Sequence, residues 1–215
     1  MSSIRDAIAK CGAVLEGEFL VALTSRRVAK KYVNMDPVLT RPTLVDAIGS
    51  KLVRGYDRRC NAVVGPAISG IPFVYAAARA LRIGNTSLDL RTAFAEKQAD
   101  GSFQFERMGF VSSLVGRDVL VVEDATMTGG SAKAVVDLVR KAGGTVVGVT
   151  FIWNHGSVTA ETLGVSETQS LVTEHAESWE PHEQPDWGTL PLVQNVGHPE
   201  YYPDYPGPTT SLLTT

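Results

Sequence analysis

The residues best placed to do chemistry are Glu123 and Asp124, adjacent carboxylates that follow Val119-Leu120-Val121-Val122. That apolar, mostly β-branched run reads as a strand buried on both faces, which sets the acids at the strand's carboxyl end. Thr126, Met127, Thr128, Gly129, Gly130 and Ser131 follow as a small polar loop. An amphipathic helix comes next, with Ala132, Val135, Val136 and Val139 on one face. The loop's backbone N–H groups and the positive end of that helix suit a phosphate dianion, and Thr126, Thr128 and Ser131 add hydroxyl donors. The plainer alternative is a strand–turn–helix with solvated acids, but such a turn has no need of two threonines, two glycines and a serine in one run.

A second strand end repeats the pattern in a weaker form. Asn61-Ala62-Val63-Val64-Gly65 reads as a short strand, and Ala67, Ile68, Ser69 and Gly70 form a small-residue turn that offers N–H groups to an anion. Taken alone, it fits any βα turn of a doubly wound sheet. Residues 93–107 form a polar connection containing Gly101, long enough to suggest a lid or binding loop. Its cations are Lys97 and Arg107, with Arg91 just before it; a solvated β-hairpin tip on which Phe103 and Phe105 pack is the alternative. A cationic turn, Thr24-Ser25-Arg26-Arg27, joins two short hairpin strands over residues 17–27 and 31–36.

The elements that position these groups follow from periodicity. Residues 3 to about 15 read as a helix with Ile4, Ile8, Cys11 and Leu15 on one face. Pro42 opens a helix carrying Leu44, Ile48 and Leu52, and another follows the Ala67–Gly70 turn with Ile71, Val74, Tyr75 and Ala78 inward. Residues 85–90, 145–153 and 169–173 read as strands, with a short helix from about 157. The stretch from Glu174 holds Trp179, Trp187, Tyr201, Tyr202, Tyr205 and most of the later prolines; it reads as an extended tail packed on the surface.

Composition narrows the class. A chain of 215 residues suffices for one α/β domain with some decoration. The net charge of −3 gives no global basic field for nucleic acid. Cys11 and Cys60 lack metal-ligand spacing, and with no later cysteine the tail cannot form a zinc site of the Cys-x-x-Cys kind. The first residues have no apolar core of a signal peptide, and no apolar run nears the roughly 20 residues that span a bilayer. A cytoplasmic enzyme without nucleic-acid or membrane partners is the expectation.

The run from Val119 to Ser131 resembles the phosphoribosyl-diphosphate signature of the type I phosphoribosyltransferases, with Met127 where a small residue is common. Leu23, Ser25, Arg27, Tyr32 and Asn34 resemble the N-terminal segment of the orotate branch, in which Arg26 stands at a usual glycine. The resemblance implies an α/β fold with a parallel-centred sheet, helices on both faces and a small N-terminal hood at about 14–40, within a domain spanning 1–173 and followed by the tail 174–215. It implies transfer of a phosphoribosyl group from phosphoribosyl diphosphate to a nucleobase, orotate first, with loss of pyrophosphate. By position, Thr126 to Ser131 would hold the 5-phosphate and Ala67, Ile68, Ser69 and Gly70 the pyrophosphate. Glu123 and Asp124 would face the ribose, and Lys97 with Arg107 or Arg91 would neutralise the leaving group. Ser25, Arg27, Tyr32, Val33 and His155 would meet the base. Mg²⁺ would arrive on the substrate with no direct protein ligand, and a homodimer would share its active sites through the lid. Thr24, Ser69 and His155 occupy positions that are often cationic in orotate enzymes. That departure keeps a different purine or pyrimidine base open, and a non-catalytic regulator that binds the diphosphate is the further alternative.

Overall fold

The computed structural model of the chain describes residues 3–23 and 25–212; Thr24 lies outside the described residues. The helices are α1 (Ile4–Ala9), α2 (Asp36–Leu39), α3 (Pro42–Leu52), α4 (Gly70–Gly84), α5 (Phe110–Leu114), α6 (Gly130–Lys141) and α7 (Ala160–Leu163). The strands are β1 (Val14–Ala22), β2 (Val28–Val33), β3 (Ala62–Pro66), β4 (Arg91–Lys97), β5 (Phe103–Gln104), β6 (Asp118–Thr126), β7 (Thr145–Asn154), β8 (Thr168–Thr173), β9 (Leu192–Val193) and β10 (Thr209–Thr210).

A six-stranded sheet in the order β5-β4-β3-β6-β7-β8 forms the centre, parallel throughout except for the antiparallel β4–β5 pair. Alternation along β6 divides its side chains between two cores. Leu120 and Val122 join Ile48, Leu52, Phe73, Val74 and Leu81 on the α3–α4 side. Val119 and Val121 join Val135, Val136 and Val139 of α6 on the other. Covering both faces holds the strand ends rigidly, and the ends carry the acids and loops. No helix of the described residues is long and apolar enough to cross a membrane.

A second, four-stranded sheet, β10-β9-β1-β2, stands above those ends. Its β1–β2 hairpin is the expected hood, while β9 and β10 come from the tail and run parallel to β1 and β9 respectively. Thus the tail builds part of the hood sheet. Gly197 makes the docking possible: its φ is 73°, and a Cβ there would meet the Ala22 carbonyl oxygen at 2.3 Å.

Four local expectations are corrected. The first helix stops at Ala9, and Leu15 lies in β1 opposite Tyr32, because strand pairing captures Val14 and Leu15. Tyr75 of α4 faces outward, and Phe73, Ala76, Ala77 and Leu81 are buried instead. The strand expected at 85–90 is irregular; it lies at 91–97, where Ala93 and Ala95 alternate inward. The connection 93–107 is consequently no open loop but the β4–β5 hairpin, with Lys97 opposite Phe103 and Gln98 N–H donating to the Ser102 carbonyl at 2.8 Å. Phe103 and Phe105 pack against the α6-side core, as the hairpin alternative required.

Candidate active site

One cleft of about 1140 Å³ opens at the carboxyl ends of the central strands. Loop 126–131 forms its floor. There the Gly129 N–H donates to Thr126 Oγ1 at 3.1 Å, and Ser157 Oγ donates to the Met127 carbonyl. Gly129 takes a φ of 80°, a conformation L side chains rarely adopt, and so turns the chain into α6. The first N–H groups of α6 have no partner within the helix, and Gly130 and Ser131 line the cleft.

The acidic pair stands beside this floor. Glu123 is only 3% exposed, and its Oε2 has no hydrogen-bond partner among the described residues. Burial, then the neighbouring Asp124 charge, raises the Glu123 carboxyl well above its ordinary range. Burial also raises Asp124; the Ala125 N–H donation to Oδ1 at 2.8 Å opposes that effect, and Asp36 adds to it. Tyr32 is pushed up to about 12, by burial first and then by Asp124 and Asp36. Among the described residues no cation pairs with Glu123 or Asp124, and a cation-like group beside them would relieve their mutual repulsion.

Ala67, Ile68, Ser69 and Gly70 form the second wall. The Ala67–Ile68 peptide is cis, and the Ala67 N–H donates to the Ala95 carbonyl at 2.8 Å. Ser69 caps α4 without using its hydroxyl, and the Ile68 side chain is exposed. Among the described residues no group of three or more His, Cys, Asp or Glu side chains gathers as a metal site.

The upper rim is assembled from distant segments. Ser25, Arg26, Tyr32, Val33 and Asn34 come from the hood, Lys97 from the β4–β5 hairpin, and His155 from the end of β7. Three expected cations are elsewhere. Arg27 turns into the tail, where Nε donates to Ser178 Oγ at 3.0 Å and Nη1 to Glu180 Oε1 at 3.0 Å. Arg107 grips Glu96 with two hydrogen bonds, Nε at 2.8 Å and Nη2 at 3.0 Å, and ties the base of the hairpin. Arg91 pairs with Asp89 at 3.0 Å. His155 lines the cleft but is only 4% exposed, and burial holds its imidazole below the ordinary value. Asn154 shapes the adjoining turn: Nδ2 donates to the Val158 carbonyl at 2.8 Å, and Oδ1 accepts from Gly156 N–H at 2.9 Å. An aspartate could not make both bonds.

Sequence reasoning missed Arg26, His198, Glu200 and Tyr201, all of which line the cleft. Arg26 carried a signal, since it replaces a usual glycine and adopts a φ of 60°. The tail residues carried none, because their place depends on β9 joining β1.

A mostly parallel sheet with a cleft at its strands' carboxyl ends, lined by an acidic strand end and two small-residue turns, defines an α/β protein with its ligand site at the topological switch point between β3 and β6. A family profile described as "Phosphoribosyl transferase domain" matches residues 39–185, and the chain belongs to that family. It is 34% identical over 194 residues to the orotate phosphoribosyltransferase of Desulforamulus reducens, covering 89% of this chain and 94% of the relative. The orotate phosphoribosyltransferase of Pelotomaculum thermopropionicum is 36% identical over 177 residues, with 82% and 86% covered. The crystal structure of the orotate phosphoribosyltransferase of Aeropyrum pernix superposes with a TM-score of 0.59 at 25% identity, covering 79% of this chain and 93% of that one.

Proposed function

We propose that this chain transfers the phosphoribosyl group of phosphoribosyl diphosphate to a ring nitrogen of orotate, releasing pyrophosphate. The observation that carries the reading is the Glu123–Asp124 pair, the first buried and the second half-buried, with no cation paired to either among the described residues, between loop 126–131 and loop 67–70 in one cleft. Loop 126–131 anchors the 5-phosphate and thereby fixes the ribose. As the bond from C1 to the diphosphate lengthens, positive charge grows on the ribose, and Glu123 and Asp124 stabilise it. Loop 67–70 receives the departing diphosphate on its backbone, and Lys97 neutralises it from above. Arg107 acts at one remove, by holding Glu96 and with it the hairpin that presents Lys97.

Mg²⁺ fits this site as a companion of the diphosphate: Glu123 Oε2 is unpartnered, Asp124 lies beside it, and both line the cleft that loop 67–70 walls. When bound, it supplies charge neutralisation on phosphate oxygens. A cytoplasmic homodimer belongs to the same reading. The exposed Met108, Val111 and Val115 support a partner surface near α5.

A different base is the second reading, favoured by Ser69 and by the buried, neutral His155 at positions often cationic in orotate enzymes. The test is pyrophosphate release from phosphoribosyl diphosphate and Mg²⁺ with a panel of purines and pyrimidines. Orotate should exceed every other base in kcat/KM; a carboxylate-free base in first place would move the assignment to the second reading.

A further inference from the structure

With orotate as the base, which rests on the function proposed above, the cleft needs a cation for the base's carboxylate. His155 is buried and Arg27 is held by Ser178 and Glu180, so neither is well placed to be that cation. We infer that Arg26 is the carboxylate partner of the base, held in place by the C-terminal tail through Tyr201 and Tyr202.

Three observations carry this. First, Arg26 lines the cleft at its hood end, and among the described residues it pairs with no carboxylate. Second, its guanidinium lies over the Tyr201 ring, 5.0 Å from the centroid, while its carbonyl accepts from the Tyr202 hydroxyl. Tyr201 is itself fixed, stacked on His198 at 5.1 Å and 11°, and the His198 N–H donates to the Ala22 carbonyl at 2.9 Å. The tail thus restrains a long side chain that would otherwise lose rotamer entropy on binding. Third, Arg26 keeps an arginine at a φ of 60°, where glycine costs nothing. Non-glycine residues in this region persist where surrounding structure holds them and cluster at functional sites. A planar guanidinium can grip a carboxylate through two hydrogen bonds and stays charged over the whole working pH range.

Tyr201 is on this account a positioning residue, and the carboxylate contact belongs to Arg26. An arginine at this place acts on the base and not on the diphosphate, and on the base's carboxylate rather than its ring. The diphosphate should not notice the loss of Arg26.

The experiment is steady-state kinetics of the full chain with phosphoribosyl diphosphate and Mg²⁺, orotate against uracil. Arg26→Gly should raise the KM for orotate about tenfold or more, the size expected of a lost charge-assisted pair. The KM for phosphoribosyl diphosphate should stay within about twofold, and discrimination between orotate and uracil should shrink. Because glycine accepts the backbone conformation, the variant's melting temperature should not fall. Tyr201→Leu should raise the KM for orotate about threefold with kcat little changed, and Tyr201→Phe, which retains the ring, should restore the parent value. An unchanged orotate KM in Arg26→Gly overturns the inference, as does a rise in the diphosphate KM that matches the rise for orotate. A parent that releases no pyrophosphate with orotate overturns the function itself, and is distinguished by needing no variant to see it.

Discussion

The floor and the rim of the cleft are built by different means. The floor is local: β6, the acidic pair, loop 126–131 and α6 are consecutive in the chain and held by cores on both faces of the sheet. The rim joins the hood turn, the β4–β5 hairpin and the tail segment 198–201, which are far apart in sequence. The contrast separates two tasks. A rigid floor suits positioning and charge stabilisation, which tolerate little displacement. A rim of exposed arginine and lysine with half-buried aromatic groups on thin supports suits selecting the base and covering the reaction.

The sharpest way to break this division is Asp124→Asn. The amide keeps the shape and loses the charge that faces the ribose, so turnover should fall about a hundredfold or more with the circular-dichroism spectrum unchanged. Turnover within a few-fold of the parent would mean that the floor only binds.

Lys97→Ala addresses the rim. It should lower kcat about tenfold while raising the KM for phosphoribosyl diphosphate less, because the charge it meets grows as the bond to the diphosphate breaks. Equal losses in kinetic and ground-state terms would make Lys97 a binding residue alone.

The legibility of the two regions follows the same line. Loop 126–131, its strand and its helix were readable because each signal is carried by neighbouring residues: a run of valines, two acids, glycines and a helical apolar stripe. The parallel-centred sheet was readable for the same reason. The strand at Arg91–Lys97 was obscured by its polar outward positions, although Ala93 and Ala95 mark its buried face. Arg27 matched a family pattern that its side chain does not follow here, since Ser178 and Glu180, more than 150 residues away, claim it. Tyr201 was illegible because only the pairing of β9 with β1 brings the tail to the cleft.

Glu123→Gln should separate stability from activity. Its folded-state value lies above the unfolded value near 4.5, so the native state keeps a proton that the unfolded chain releases. The stability this contributes is fully present below the unfolded value and is lost as pH rises through the folded one. The cost of holding Glu123 as a carboxylate in the folded chain therefore grows as pH rises above the unfolded value. The amide should gain about 1 kcal/mol in denaturant titration while turnover drops, as is common where a site holds charge for function. A loss of stability would show that the carboxylate is satisfied where it stands.

The smallest expected effect concerns His155. Burial holds it below its ordinary value near 6.5, so the neutral imidazole already predominates at pH 6.5 and only gains further toward pH 8.5. The KM for orotate should change less than about twofold across that range when an arginine holds the carboxylate. A KM that climbs with pH would return the role to a protonated His155.

The most direct test of the whole account follows two quantities in one reaction of the purified chain with phosphoribosyl diphosphate, Mg²⁺ and orotate. Orotate consumed and pyrophosphate released should rise together in a one-to-one ratio, and both should slow about a hundredfold or more with Asp124→Asn at the same enzyme concentration. Pyrophosphate release without orotate consumption, or equal progress with the Asp124→Asn chain, would contradict it.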